Sequence, residues 1–224
     1  DLCLHWAATR SQLRVGNYWH MLPEYSQARK SVWDAVNPHT GIKRIDEAFP
    51  KALRAKTRDT DMFIEFRNGA TWQLVGSDTF NALVGSPPIG VTASEWALAD
   101  PAAWAYLRPI LRENGGWAVF ITTPRGRNHV HRMFEGAKDD PEWFVEKLSA
   151  RDTGTLTEVE LEKERQEYLR EYGADDGDNL FSQEYLCDFD AAIIGAYYSR
   201  AMRQAAADNR ICRAPYDPLA LVNT

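Results

Sequence analysis

Apolar residues recur at helical spacing over residues 26–36, at Ala28, Val32, Trp33 and Val36, and Asn37-Pro38 stops the run where proline cannot continue a helix. Ahead of it, Val15, Tyr18, Trp19, Met21 and Leu22 crowd residues 14–22 into a strand-like run ended by Pro23. Residues 1–12 carry Leu2, Leu4, Trp6 and Ala8 with little turn chemistry, which suits a short helix. Residues 45–53 read as a helical turn broken at Phe49-Pro50, followed by the basic stretch Lys51, Arg54, Lys56 and Arg58. Strands over 60–66 and 70–75 flank Arg67-Asn68-Gly69, where Asn-Gly supplies the positive φ angles of a tight hairpin. After the punctuation at 85–88, an apolar run over 89–93 ends at Ser94-Glu95-Trp96.

A helix starts at Asp100-Pro101, with aspartate as cap and proline at the first helical position. Its apolar face is Trp104, Leu107, Ile110 and Leu111, and Asn114-Gly115-Gly116 ends it. Residues 117–122 are apolar throughout, as a central strand covered on both faces should be. Beyond them the pattern predicts a helix over 128–138, a strand over 143–148 and a charged helix over 157–172 closed by Gly173. A short helix over 180–185 precedes 186–189. Strands alternating with helices of this length indicate βαβ units and a mostly parallel, doubly wound α/β sheet.

Composition narrows the function classes. At 224 residues and 44% hydrophobic, the chain can bury one good core with an appendage. A net charge of −6 argues against a protein that coats nucleic acid with its whole surface, so any DNA contact must be local. No apolar stretch approaches the roughly 20 residues that span a bilayer, so no membrane partner is expected. Cys3, Cys187 and Cys212 form no Cys-x-x-Cys pair, which argues against a disulfide framework or zinc knuckle and fits reduced thiols in a cytoplasm. The start lacks an initiator Met, a basic leader and a cleavage site, so export is not expected; both ends read as cut.

Two short motifs could carry chemistry. Ile89 to Glu95 is a strand that delivers a carboxylate to the carboxyl edge of a parallel sheet, the edge where α/β folds bind ligands. A glutamate there can polarise the water that attacks a γ-phosphate; alone, such a residue is more often a solvated strand end. Phe120 to Gly126 is a strand ending in Thr122 and Thr123 and then a turn. Two hydroxyls at a strand tip can hydrogen-bond a phosphate or its attacking water, although threonine is also simply a good strand former. Consecutive strands joined by one helix place the two tips side by side in a right-handed crossover.

At this point the chain resembles the large terminase subunits of tailed bacteriophages, in the group carrying a Ser-Glu rather than an Asp-Glu acidic motif. The matching stretches are Val15-Gly-Asn-Tyr-Trp-His-Met-Leu-Pro-Glu-Tyr-Ser-Gln-Ala-Arg-Lys, Gly76-Ser-Asp, Val84-Gly-Ser-Pro-Pro-Ile-Gly, Ser94-Glu-Trp-Ala-Leu-Ala, Leu107-Arg-Pro-Ile-Leu-Arg-Glu-Asn-Gly-Gly-Trp, Thr122-Thr-Pro-Arg-Gly-Arg-Asn-His and Gly195-Ala-Tyr-Tyr, in order along nearly the whole chain. The resemblance implies a RecA-like, P-loop-type (ASCE) ATPase core over 1–150, a helical linker region over 151–215 and the start of an RNase H-like nuclease domain over 216–224. It implies Glu95 as the catalytic glutamate, Ser94 in place of the magnesium-orienting aspartate, and Thr122 and Thr123 as the motif coupling hydrolysis to DNA movement. The implied cofactors are ATP and Mg2+. The implied partners are double-stranded DNA, a small terminase subunit, a portal protein and further copies in a homo-oligomeric ring, in the cytoplasm of the bacterial host.

The departures are as informative. No Gly-x-x-x-x-Gly-Lys-Ser/Thr occurs, and the family's phosphate-binding loop would sit immediately before Asp1, so this chain alone is expected to be inactive and to bind ATP poorly or not at all. Relatives often place an arginine finger in an Arg-Gly pair where this chain has Val84-Gly85; the candidates left are Arg29 and Arg108. The chain stops before the nuclease aspartates, so no two-metal nuclease activity is expected. Arg125, Arg127, His129, His131 and Arg132 form one basic cluster, with the arginines as candidate DNA contacts, and Lys51, Arg54, Lys56 and Arg58 another; solvated surface charge is the plain alternative. His129-x-His131 lacks a third ligand, so no metal site made by protein ligands is expected. Two other function classes stay open: a catalytically silent fragment acting as an interaction module, and a helicase-like ATPase core.

Overall fold

A computed structural model describes residues 2–83, 85–191 and 199–211. The chain divides into two compact units, Asp1–Phe144 and Val145–Thr224.

The first unit opens with helix α1 (Leu2–Leu13), then strand β1 (Asn17–Leu22). Tyr18 joins them, its hydroxyl lying 3.0 Å from the Arg10 carbonyl and 2.6 Å from that of Arg14. Helix α2 (Tyr25–Ala28) widens at once into a π-helical turn, Arg29–Trp33, instead of running on as a regular helix to residue 36. That turn brings the Trp33 ring parallel to Trp72 at 6.4 Å and its indole N–H to Asp59 at 2.7 Å, contacts absent from any local periodicity. Helix α3 (Arg44–Ala48) and a 3-10 turn, Lys51–Leu53, break around Phe49-Pro50 as expected.

Strand β2 (Arg54–Arg58) falls where only a basic stretch was legible. It is an edge strand with exposed Lys56 and Arg58, a composition that discourages pairing with other chains. Strands β3 (Phe63–Phe66) and β4 (Thr71–Gly76) form the antiparallel hairpin around Asn68-Gly69, with Gly69 at φ 88°. Strand β5 (Pro88–Ser94), helix α4 (Pro101–Glu113), strand β6 (Trp117–Ile121) and helix α5 (His129–Ala137) complete the unit. The Asp100 carboxylate caps α4 by accepting from the Ala102 N–H at 2.8 Å.

The sheet order is β2-β3-β4-β1-β5-β6, with β4, β1, β5 and β6 mutually parallel and the hairpin side antiparallel. The α/β class is as expected. The central place expected for 117–121 is not: among the described strands β6 is outermost, and β1 and β5 are the ones buried along nearly their full length. An apolar run cannot tell cover by a strand from cover by aromatic side chains, and Phe120 is covered by Trp96, Trp104 and Trp143. Trp143 spends its apolar surface on that cluster, and residues 143–149 form no strand.

The core lies on the face where Leu4 and Ala7 of α1, Trp33, Ile45 and Phe49 meet Ile64, Phe66, Trp72 and Leu74. Gly90 sits in register between Tyr18 and Trp117, and a Cβ there would come within 2.5 Å of the Trp117 ring and 2.7 Å of the Tyr18 ring. Gly90→Ala is therefore expected to lower unfolding stability by about 1–3 kcal/mol in a denaturant titration, through overpacking; an unchanged midpoint would contradict this packing.

The second unit is helical: α6 (Ala150–Thr153), α7 (Glu158–Tyr172), α8 (Ala174–Leu186) and α9 (Ser199–Ala207). Thr157 and Glu160 form a reciprocal capping box on α7. The helix expected over 180–185 is the second half of α8, and Cys187 at φ 53° ends it. Gly177 lets α8 approach α7 closely: a Cβ there would lie 2.4 Å from the Tyr168 carbonyl. The expected nuclease start at 216–224, the Gly195-Ala-Tyr-Tyr stretch, Val84 and Cys212 lie outside the described residues.

Candidate active site at the carboxyl edge of the sheet

In the parallel pair β5·β6, Ser94 stands opposite Ile121 and Ala93 opposite Phe120. Glu95 and Thr122 therefore leave adjoining strand tips on the same edge, the juxtaposition expected from the sequence. Glu95 is exposed and adopts φ 53°, ψ 41°, a left-handed conformation that costs a non-glycine residue about 1–2 kcal/mol. A short 3-10 turn, Trp96–Leu98, follows, with the Leu98 N–H donating to the Glu95 carbonyl at 2.9 Å. Strain held by surrounding structure at a strand tip is a marker of function.

That turn is tied down from β6 and beyond. The Ala97 N–H donates to the Thr122 hydroxyl at 3.0 Å, and Thr122 in turn donates to its neighbour's carbonyl, at Thr123, at 3.0 Å. The Asn128 amide donates to the Ala97 carbonyl at 3.1 Å while its oxygen caps α5, and His129 Nε2 donates to the Trp96 carbonyl at 2.8 Å. The stretch Thr122 to His129 thus grips the backbone that follows Glu95. One hydrogen bond joins Thr122 to the backbone two residues after Glu95. Thr123 is half-buried beside it.

On the other side of β5 stands His20 of β1, in register with Thr92. Its Nε2 lies 2.9 Å from Ser94 Oγ, and the side chain is 4% exposed. The carboxyl edge is held together further by Ser77, which donates to the Pro23 carbonyl at 2.8 Å and accepts from the Asp100 N–H at 2.9 Å.

Burial pushes the His20 pKa down to about 4. The folded chain keeps the ring neutral where the unfolded chain takes up a proton. Stability from this site is complete above pH 6.5 and is lost as pH falls from 6.5 to about 4, by roughly 3 kcal/mol in all. Unfolding titrations at pH 7 and pH 4.5 should show that loss, and His20→Gln should flatten it; parallel profiles would contradict the assignment.

The other expected site residues lie elsewhere. Arg29 is held by the Asp59 carbonyl at 2.6 Å and by the Asp59 carboxylate at 3.4 Å, an anchor for the π-helical turn. Arg108 of α4 and Arg132 of α5 line one cavity of about 370 Å³ with Trp96, Trp104, His129 and Trp143. Arg125 is half-buried in the loop after β6, and Arg127 is exposed next to the cap of α5. Of the second basic cluster, Arg54 is engaged by Asp46 at 2.6 Å and by the Phe49 carbonyl at 2.7 Å. Among the described residues no group of three or more His, Cys, Asp or Glu could hold a metal ion. Nor is any helix among them long and apolar enough to cross a membrane. Sequence reasoning missed His20, Asn128 and the role of His129. A lone histidine inside the apolar run Tyr18 to Leu22 was the available signal for the first.

The sheet and its helices form an α/β core with the fold of phage large terminase ATPase domains. The fold is similar to that of the Thermus phage P74-26 large terminase ATPase domain, with a TM-score of 0.57 and 20% identity over 82% of this chain and 80% of that one. It is also similar to the large terminase of a thermophilic bacteriophage solved in complex with ATP-gamma-S, with a TM-score of 0.54 and 16% identity over 79% of this chain and 40% of that one. In sequence, the chain is 29% identical over 134 residues to the large terminase subunit of Escherichia phage T5, covering 58% of this chain and 29% of that protein. The resemblance read from the motifs therefore holds in sequence and in fold, and the chain spans less than a third of the length of this curated relative. No protein-family model matches the sequence.

Proposed function

We propose that this chain is the hydrolytic part of an ATPase motor module of a terminase large subunit, one that moves double-stranded DNA into a procapsid in the bacterial cytoplasm. The observation that carries the reading is the pairing of tips: Glu95 and Thr122 flank one edge, joined by the Ala97 to Thr122 hydrogen bond. Bound Mg-ATP supplies the phosphoanhydride bond and the charge-neutralising ion of phosphoryl transfer.

The donor set suits a nucleotide-borne magnesium, which keeps most of its waters and phosphate ligands and needs little from the protein. Here the protein offers one hydroxyl, Ser94, and one carboxylate, Glu95. Glu95 orients the attacking water and accepts its proton. Ser94 would help hold a magnesium ion through its water shell, and Thr122 with Thr123 would carry the change at the γ-phosphate into the loop of Arg125 and Arg127. These arginines and Arg132 are the proposed phosphate contacts to DNA. The cavity-lining Arg108 stays a candidate finger on a neighbouring copy in a ring, with a portal and a small subunit as further partners. Arg29 fits that role poorly because its guanidinium is committed to Asp59.

No Gly-x-x-x-x-Gly-Lys-Ser/Thr occurs in this chain, so on this reading the phosphate cradle is supplied by residues outside it. Thermal melting with Mg-ATP tests the division of labour. The 224-residue chain should show no nucleotide-induced rise, whereas the protein carrying the phosphate loop should gain about 2.7 kcal/mol at a hundredfold excess over Kd. A rise of several degrees in the shorter chain would put the phosphate site elsewhere.

A further inference from the structure

The acidic motif of this chain begins with a neutral residue. An aspartate at position 94 would attract a hydrated cation from any rotamer, because charge acts without regard to hydrogen position. A serine hydroxyl acts only along its O–H bond and its lone pairs, so it must be aimed. A free hydroxyl rotor spreads that direction over three staggered wells.

The structure contains the aiming device. His20 Nε2 lies 2.9 Å from Ser94 Oγ across the parallel pair β1·β5. The ring is fixed from its other sides: it lies edge-on to Trp72 with centroids 6.4 Å apart, and Trp72 is fully buried. His20 Nδ1 has no hydrogen-bond partner in the described chain. A stranded N–H is the rarer defect in protein interiors, which favours the tautomer with its hydrogen on Nε2, donated to Ser94. One lone pair of the hydroxyl is then taken. Its own hydrogen and remaining lone pair stay available to other partners.

We propose that His20 is the positioning residue of this site, holding the Ser94 hydroxyl in the one orientation in which it orders the magnesium water shell, a task the commoner aspartate performs by charge. The proposal rests on the reading of Ser94 given above. It accounts for a histidine in a strand otherwise filled by Tyr18, Trp19, Met21 and Leu22.

The test is the Mg2+ concentration for half-maximal ATP turnover, measured in the protein carrying its phosphate loop. Ser94→Ala and His20→Leu should each raise it about tenfold, the range found when the partner of a metal-binding group is removed. The double variant should raise it no further than either alone. The Mg2+ concentration for half-maximal binding of a fluorescent ATP analogue, a readout without turnover, should move by the same factor in each variant. His20→Gln, whose amide reaches the place of Nε2, should restore the normal requirement, and His20→Asn, whose amide reaches only the place of Nδ1, should not. This Gln and Asn pair carries the test if His20→Leu melts at assay temperature. A normal requirement in His20→Asn and His20→Leu beside a raised one in Ser94→Ala overturns the positioning role while leaving Ser94 in place. A normal requirement in Ser94→Ala overturns the reading of Ser94, and the proposal with it.

Discussion

Glu95→Gln should lower ATP turnover about a thousandfold in the protein carrying its phosphate loop, while nucleotide affinity stays within a few fold. The amide keeps the size and hydrogen-bonding reach of the carboxylate and loses its capacity to take the proton of the attacking water. The residue is exposed and sits at the strand tip, so the substitution removes no packing. Its backbone is left-handed, and glutamine tolerates φ 53° no better than glutamate, so folding stability should be unchanged. Single-turnover hydrolysis alongside equilibrium binding of a fluorescent ATP analogue separates the two effects. Turnover within tenfold of the wild type would remove Glu95 from the catalytic role; lost binding with lost turnover would mean that it holds nucleotide instead.

Trp72→Ala should destabilise the fold by about 3–5 kcal/mol, the range for emptying a buried aromatic site. Trp72 is fully buried on β4, parallel to Trp33 and 4.7 Å from Phe49 between ring centroids. For a chain of this size that loss corresponds to a fall in Tm of about 10 °C. Its indole N–H has no partner in the described chain, so Trp72→Phe gives up no hydrogen bond and should cost about half as much. A fall of less than about 3 °C in the alanine variant would place the core elsewhere. Because Trp72 also backs the His20 ring, the alanine variant should loosen the contact between His20 and Ser94 as well as the core.

The parts of this architecture that were legible in the sequence are those whose chemistry is local. Asn68-Gly69 specified its hairpin because the turn needs a positive φ, and Asp100-Pro101 announced its helix because both capping roles fall on adjacent residues. The meeting of Glu95 with Thr122 was legible for a different reason: consecutive parallel strands joined by one helix are most often neighbours, and these two are.

What stayed hidden depends on partners distant in sequence. Arg54 to Arg58 does not read as a strand, since its pairing with β3 is made by the backbone and the residues after Arg54 are exposed. The apolar run of β6 read as central because apolar residues do not show which strands flank them; aromatic rings pack on Phe120 while the strand stays half-buried. Trp33 pulls α2 into a π-helical turn for the sake of Trp72 and Asp59. The left-handed backbone of Glu95 leaves no trace in a side-chain pattern, and the partner of His20 lies 74 residues away.

A structure of the protein carrying its phosphate loop, bound to a non-hydrolysable ATP analogue and Mg2+, is the most direct measurement of where hydrolysis occurs. The γ-phosphate should lie over the tips of β5 and β6, with a water between it and the Glu95 carboxylate and the Thr122 to Thr123 turn alongside. A nucleotide bound with Glu95 and Thr122 both beyond the reach of one bridging water would show that this edge of the sheet is not the catalytic one.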